Sequence, residues 1–394
     1  MKSRYISAVV VIVVCIVAAV LIFDRSLSRP RPSAPAPAMP EYSAADSVRP
    51  SSPLQSSSVA SAPFPWLLRA PAAIAHRHEE RAGFAWILRQ FGASEATLDR
   101  LAQGDLNELM ADLKRQASRR NATATNTLGW LARRCSTLRS PEVLHSYNAA
   151  QKAQAQMLSP SDANWLTSLI DEDETREGAL STACASEINQ VEIEALVSAR
   201  AEQGDAGSKW LESESASNAI ELRTLLRQAA AGGFPEAQYE LARQLLSSQD
   251  PQWHLSADPS PMDLLREAAV QLPDARANLA ICEFKGCHGT TPDPMAAVQD
   301  ARTAAQSGQP AAMLSLSATL PVGALDQDEG EAWQVFEAVL ELQGCRVNNH
   351  YVDWLKGINA ALASPAVTPH VQALANQYWQ AYGAAAERQL GCGS

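Results

Sequence analysis

Six cysteines, Cys135, Cys184, Cys282, Cys287, Cys345 and Cys392, stand outside the N-terminal apolar run and are the side chains best placed to do covalent chemistry. An even number of cysteines in a chain with an export signal points to disulfides, and six allow fifteen connectivities. Cys135 and Cys184 are 49 residues apart, Cys345 and Cys392 are 47 apart, and Cys282 and Cys287 are 5 apart, a pattern that favours pairing in sequence order. Cys282-Glu-Phe-Lys-Gly-Cys287-His288 also spells a loosened haem-attachment motif. Haem would need an apolar pocket and a second axial ligand, whereas a bridge closing the short loop needs neither. The other groups have simpler readings. His76 and His78 lie two apart beside Glu79 and Glu80, but no second ligand pair follows, so surface residues are expected. The run Asp171 to Glu174 reads as a solvated helix end. Glu212-Ser213 and Glu214-Ser215 would serve glycoside hydrolysis only if one carboxyl stayed protonated in an apolar cleft. No phosphate-cradling glycine loop and no Gly-x-Ser-x-Gly nucleophile turn is present. The expectation is a chain without catalytic, metal or cofactor residues.

Charge narrows the partners. Residues 1–78 carry eight Lys/Arg against three Asp/Glu, residues 79–140 ten against seven, and residues 141–394 fourteen against thirty-three. An acidic bulk of this kind excludes DNA and RNA, whose binding depends on neutralising phosphates. The one basic cluster, Lys114, Arg115, Arg119, Arg120, Arg133, Arg134 and Arg139, reads as the polar face of a helix pair, with anionic lipid or glycan as the alternative.

Ile6 to Phe23 is a run without charge, long enough at about 1.5 Å per residue to approach the roughly 30 Å hydrocarbon core. No good cleavage site follows it, so residues 6–23 are expected to be an uncleaved transmembrane anchor, with Cys15 a buried helix residue. Basic residues flank both ends and leave orientation open; the cysteines favour an exported domain, periplasmic in a diderm bacterium, on a single-pass inner-membrane anchor. Residues 24–65 hold nine of the twenty-three prolines amid Ser and Ala and are expected to be a disordered tether.

From Trp66 onward the windows are filled with Ala, Leu, Gln, Glu and Arg, and no alternating β-branched run appears, so the class is all-α. Helices are expected in RAGFAWILRQF after Glu79, in the stretch opened by Ser94, from Asn107, and from Ser161. Residues 66–220 read as a helical domain with decayed repeats, with candidate units at 114–134 and 198–214.

The strongest signal is self-similarity within 221–394. Aligning residues 225–246, 264–284 and 301–320 superposes Pro235, Pro273 and Pro310, then Ala237, Ala275 and Ala312, then Leu241, Leu279 and Leu316. Each unit is a helix ending in Ala-Ala, a short turn, and a second helix with a small residue four places before a leucine. Neither helix can bury its apolar face alone, so neighbours must stack. Over about residues 223–320 the pattern resembles the Sel-one-like repeats, a tetratricopeptide-related family; Ala280 stands for the usual glycine and Phe284 for the aromatic, with Gly286, Asp293 and Ala297 in the restart. Leu272 in place of the turn glycine, the early Pro321 and the long loop from Gly286 to Pro294 depart from it.

The resemblance implies a right-handed α-solenoid that binds proteins or peptides, with exported members often cysteine-bridged. It also implies a binding face on the second helices: Gln238, Glu240, Arg243 and Gln244, then Arg276, Asn278 and Glu283, then Met313 and Ser315. The expected role is a membrane-tethered binding or assembly module of the cell envelope. A glycan hydrolase with an unrecognised acidic site, or a foldase or inhibitor of an exported protein, is the alternative.

Overall fold

Tight turns and helix caps punctuate this chain so regularly that the described residues contain seventeen α-helices and no strand. The computed structural model describes residues 70–247, 258–317, 325–346 and 350–392. The apolar run at 6–23, the linker at 24–65 and Pro321 lie outside them. Among the described residues no helix is long and apolar enough to cross a membrane.

The helices are α1 (Ala72–Gln90), α2 (Glu95–Gln103), α3 (Leu106–Ser118), α4 (Ala122–Thr137), α5 (Pro141–Ala155), α6 (Pro160–Glu187), α7 (Gln190–Glu202), α8 (Ala206–Glu214) and α9 (Ala219–Ala231), followed by α10 (Pro235–Ser247), α11 (Pro261–Ala269), α12 (Pro273–Lys285), α13 (Pro294–Gln306), α14 (Ala311–Ser317), α15 (Gln327–Leu342), α16 (Tyr351–Leu362) and α17 (Pro369–Leu390). Short polar side chains start many of them: Ser94, Asn121, Asp205, Asn218, Asp293 and Thr368 each accept a first-turn backbone N–H. Ser159, not Ser161, caps α6, which continues to Glu187, so Asp171 to Glu174 sit in mid-helix rather than at a helix end.

The aligned repeat positions are buried in step. Ala237, Ala275 and Ala312 are fully inaccessible, and Leu241, Leu279 and Leu316 are nearly so. Small residues let the second helix of each pair approach its partner, and the leucine one turn later fills the space behind. The middle turn works differently from the sequence reading: Leu272 occupies the place of Phe234, both buried, and the turn from Ala269 to Pro273 is one residue shorter than that from Ala230 to Pro235. Leu272 is extended, at φ −110°, so no left-handed residue is required there, whereas Gly233 and Gly308 lie at +80° and +87°. The earlier units keep the same form. Ala124 and Leu128 in α4 and Gly207 and Leu211 in α8 are buried, and Asn126 joins the two helices by donating to Asp205 at 2.9 Å while accepting from Ser208 Oγ at 2.6 Å.

Packing does not break at residue 220. One core cluster runs from Phe84 through Leu128, Leu211 and Leu241 to Cys282. Helix α1 ties the clusters together, giving Phe84, Ile87, Leu88 and Phe91 to that core, Ala82 to a second beside Ala386 and Cys392, and Ala75 to a third beside Leu342 and Tyr351. A helix with apolar residues around most of its girth has to be buried on most of its girth. Its cations complete the last helix, since Arg89 donates to Arg388 O at 2.9 Å and Arg81 to Gly391 O at 3.2 Å.

The seam is testable. Ala275→Leu inserts a large side chain into a contact with no free volume and should cost about 1–3 kcal/mol by urea unfolding. Asn278 is not the free surface position that the alignment implies, because its Nδ2 donates to Tyr239 Oη at 2.7 Å; Asn278→Leu should cost about 0.5–1.5 kcal/mol. Exposed Gln228→Leu should stay within about 0.5 kcal/mol. Equal midpoints for the three variants would refute the register.

Candidate functional site

Gly129, in mid-α4, lets α7 and α8 lie close: a Cβ there would meet Val197 Cγ2 at 2.7 Å and Leu211 Cδ1 at 3.0 Å. The Cys135–Cys184 bridge, Cα to Cα 5.7 Å, holds the ends of α4 and α6 together. Between these helices opens a groove of about 1430 Å³, lined by α4, the Leu138–Ser140 connection, the start of α5, and α6, α7, α8 and α9. Its apolar lining is Leu138, Ile193, Val197, Leu211 and Leu225, and the bridge itself forms part of the wall. Close to lining residues of the same helices stand three exposed apolar side chains, Val143, Val191 and Ile220.

The groove's charges are unequal. Arg133 and Arg139 line it together with Glu194, Glu212, Glu214 and Glu221. Arg133 donates to Ser215 Oγ at 3.0 Å; burial lowers its pKa, opposed by the charges of Glu214, Glu194 and Glu212. Arg139 lies 4.4 Å over the Tyr147 ring. Gln190 Nε2 donates to Glu194 at 2.7 Å, and Glu221 accepts from Ser217 and Asn218. Glu214 also reaches beyond the groove, since burial and then its charge raise the pKa of Glu240.

The face expected on the second helices is largely taken up by contacts between helices. Gln238 is buried rather than outward, donating to Glu267 at 2.6 Å, and Met313 is fully buried. Glu240 accepts from Trp210 Nε1 at 3.2 Å, Arg276 donates to Ala269 O at 2.9 Å, and half-buried Glu283 has its pKa raised to about 7 by burial and by Asp300. Arg243 and Ser315 are exposed and Gln244 is half-buried. Sequence position makes all of these polar residues look solvated; only the register between neighbouring repeats shows which have partners.

The other motifs are accounted for individually. Cys282 and Cys287 form a bridge with Cα atoms 4.8 Å apart, so neither thiol is available to haem, and Cys345 bonds Cys392 at 5.1 Å. His78 Nδ1 is 3.1 Å from Gln343 O, while the side chains of His76, Glu79 and Glu80 lie outside the described residues. Lys152 pairs with Asp171 and Glu174, His145 bonds Glu174 at 2.7 Å, and half-buried Asp173 accepts from Tyr351 Oη at 2.6 Å. Ser213 is buried and donates to Trp210 O. The basic cluster divides, with Lys114 and Arg115 paired to Glu187 and Asp112, and Arg133 and Arg139 in the groove.

Stacked helix pairs with a small residue at each tight contact define a helical-repeat protein. No family model and no curated protein matches the chain. Among solved structures it is similar to a Sel1 repeat protein from Oxalobacter formigenes, at 18% identity over 65% of this chain and 88% of that one, with a TM-score of 0.33. It is also similar to c5321, a protective antigen of uropathogenic Escherichia coli strains displaying an SLR fold, at 16% identity over 73% and 72% of the two chains, with a TM-score of 0.29. The Sel-one-like form read from residues 223–320 rests on the chain's own buried alanines and leucines.

Proposed function

We propose that this chain is a membrane-tethered, exported solenoid of right-handed repeats that holds a peptide segment of an envelope protein in the groove of α4 and α6 to α9. The observation that carries the reading is the groove, whose roughly 1430 Å³ exceeds the about 300–1,000 Å³ of sites for small molecules while keeping an apolar floor and a polar rim. The export half of the reading is supported by three bridges, which form and persist in oxidising compartments, and by the uncharged run from Ile6 to Phe23. A glycan hydrolase would need a protonated carboxyl facing the groove. The three carboxyls that burial pushes to about 7, Glu236, Glu283 and Glu341, are not among its lining residues.

Two measurements on the full-length protein test this. It should sediment with membranes through a high-salt wash and leave them only in detergent; release by salt would refute the tether. A photo-reactive residue replacing Thr224, in the groove, should label ten-residue peptides from a fluorescent synthetic pool, and the same residue replacing exposed Met157 should not. Equal labelling at the two positions would remove the groove as the binding site.

A further inference from the structure

From the distribution of charge around the groove we infer that its occupant is a peptide segment presenting a lysine or arginine between apolar residues, the cation lying among Glu194, Glu212 and Glu214. The inference rests on the peptide-binding reading above and adds the chemistry of the partner.

Four carboxylates and two guanidinium groups line the groove, an excess of two negative charges. Arg139 is stacked on Tyr147, and Arg133 is the cation on which Glu214, Glu194 and Glu212 act. Glu214, Glu194 and Glu212 all act on Arg133, but one guanidinium balances one carboxylate, and none of the four groove carboxylates makes an ion pair in the described structure. A single-sign field at a concave, partly apolar surface attracts a segment of the opposite sign and disfavours one of the same sign. The apolar floor of Ile193, Val197, Leu211 and Leu225 lies beside the carboxylates. An aliphatic stem can cover that floor while its charged end reaches the rim, which is the way lysine and arginine side chains divide themselves between apolar surface and water. An acidic segment would meet uncompensated carboxylates, and a wholly apolar one would leave them desolvated without a partner.

The probes are three fluorescein-labelled ten-residue peptides of one alanine and leucine sequence, with two central lysines, two central norleucines, or two central glutamates. Fluorescence polarisation with the full-length protein in detergent should show the lysine peptide binding about tenfold more tightly than the norleucine peptide, and the glutamate peptide more weakly than either. That preference should shrink to within about threefold in 0.5 M salt, where screening shortens the reach of charge to a few ångströms. The triple variant Glu194→Gln, Glu212→Gln, Glu214→Gln should abolish the lysine preference, weakening the lysine peptide and not the norleucine peptide, whose burial of unpartnered carboxylates it relieves. Glu194 and Glu214 are exposed and Glu212 is half-buried, and an unchanged melting temperature will show that the variant is folded. Norleucine or glutamate peptides binding as tightly as the lysine peptide would overturn the cation inference and leave the groove standing. No binding by any of the three would overturn the groove reading itself.

Discussion

Replacing Cys345 and Cys392 together by alanine will lower the unfolding free energy by about 4 kcal/mol, the loop-closure value for a bridge spanning 47 residues. The loop it closes carries α16 and α17, so without the bridge the unfolded chain gains the freedom of that whole segment. The folded state loses packing too, because both cysteines are buried in the cluster that holds Ala82 and Ala386. Removing the Cys282–Cys287 bridge, which spans 5 residues, should cost about 2 kcal/mol by the same relation. Urea unfolding of the two double variants measures both values. An unchanged midpoint for the Cys345, Cys392 variant would show that the bridge is not closed in the protein, and equal losses for the two would show that loop length does not govern the effect.

The repeat is legible in the sequence because its signal is periodic and its chemistry is one-sided. Alanine followed four places on by leucine, after a proline turn, has few uses other than a helix seam, and those positions are buried in all three units. The disulfide pairing is legible for a related reason, since separations of 49, 5 and 47 residues each fit within one or a few helix pairs. The role of α1 is not legible. RAGFAWILRQF reads as a helix, but its apolar residues face two different clusters and Ala75, earlier in the same helix, faces a third, and periodicity predicts a buried face only when there is a single one. Two of the positions expected to point outward are misread for a different reason. Gln238 and Asn278 are polar at positions that look outward on an isolated helix, yet each meets a residue 29 or 39 positions away on a neighbouring helix. The groove gathers residues from six helices between Gly129 and Leu225, and no local motif marks it. Arg133, Glu212 and Glu214 stand out in the sequence as a basic cluster and as possible acids; their shared location depends on Gly129 admitting α7 and α8 and on the Cys135–Cys184 bridge holding α4 to α6.

Gly344→Ala will destabilise the protein by about 3 kcal/mol or more, far beyond what the same change does at an open turn. Gly344 follows α15 at φ +86°, a conformation that costs a residue with a Cβ roughly 1–2 kcal/mol. Its added Cβ would also stand 2.1 Å from Ala75 O and 2.6 Å from Ala75 Cα, which are backbone atoms of α1 and cannot rotate aside. Overpacking of this kind typically adds about 1–3 kcal/mol. Gly204 supplies the control, with φ +94° and nothing within 4 Å of the added atom, so Gly204→Ala should show the conformational cost alone, about 1–2 kcal/mol. The difference between the two variants isolates the contact between α1 and the turn after α15. The same contact can be read without unfolding the protein. Ala70 N donates to Leu342 O at 3.4 Å, and His78 sits 3.1 Å from Gln343 O, so lifting α1 from this turn should raise hydrogen exchange at Ala70 and through the first turns of α1 while the seam around Ala275 stays protected. If Gly344→Ala and Gly204→Ala lower the midpoint equally, α1 does not lie against this turn in solution, and its place at the centre of three core clusters would be wrong.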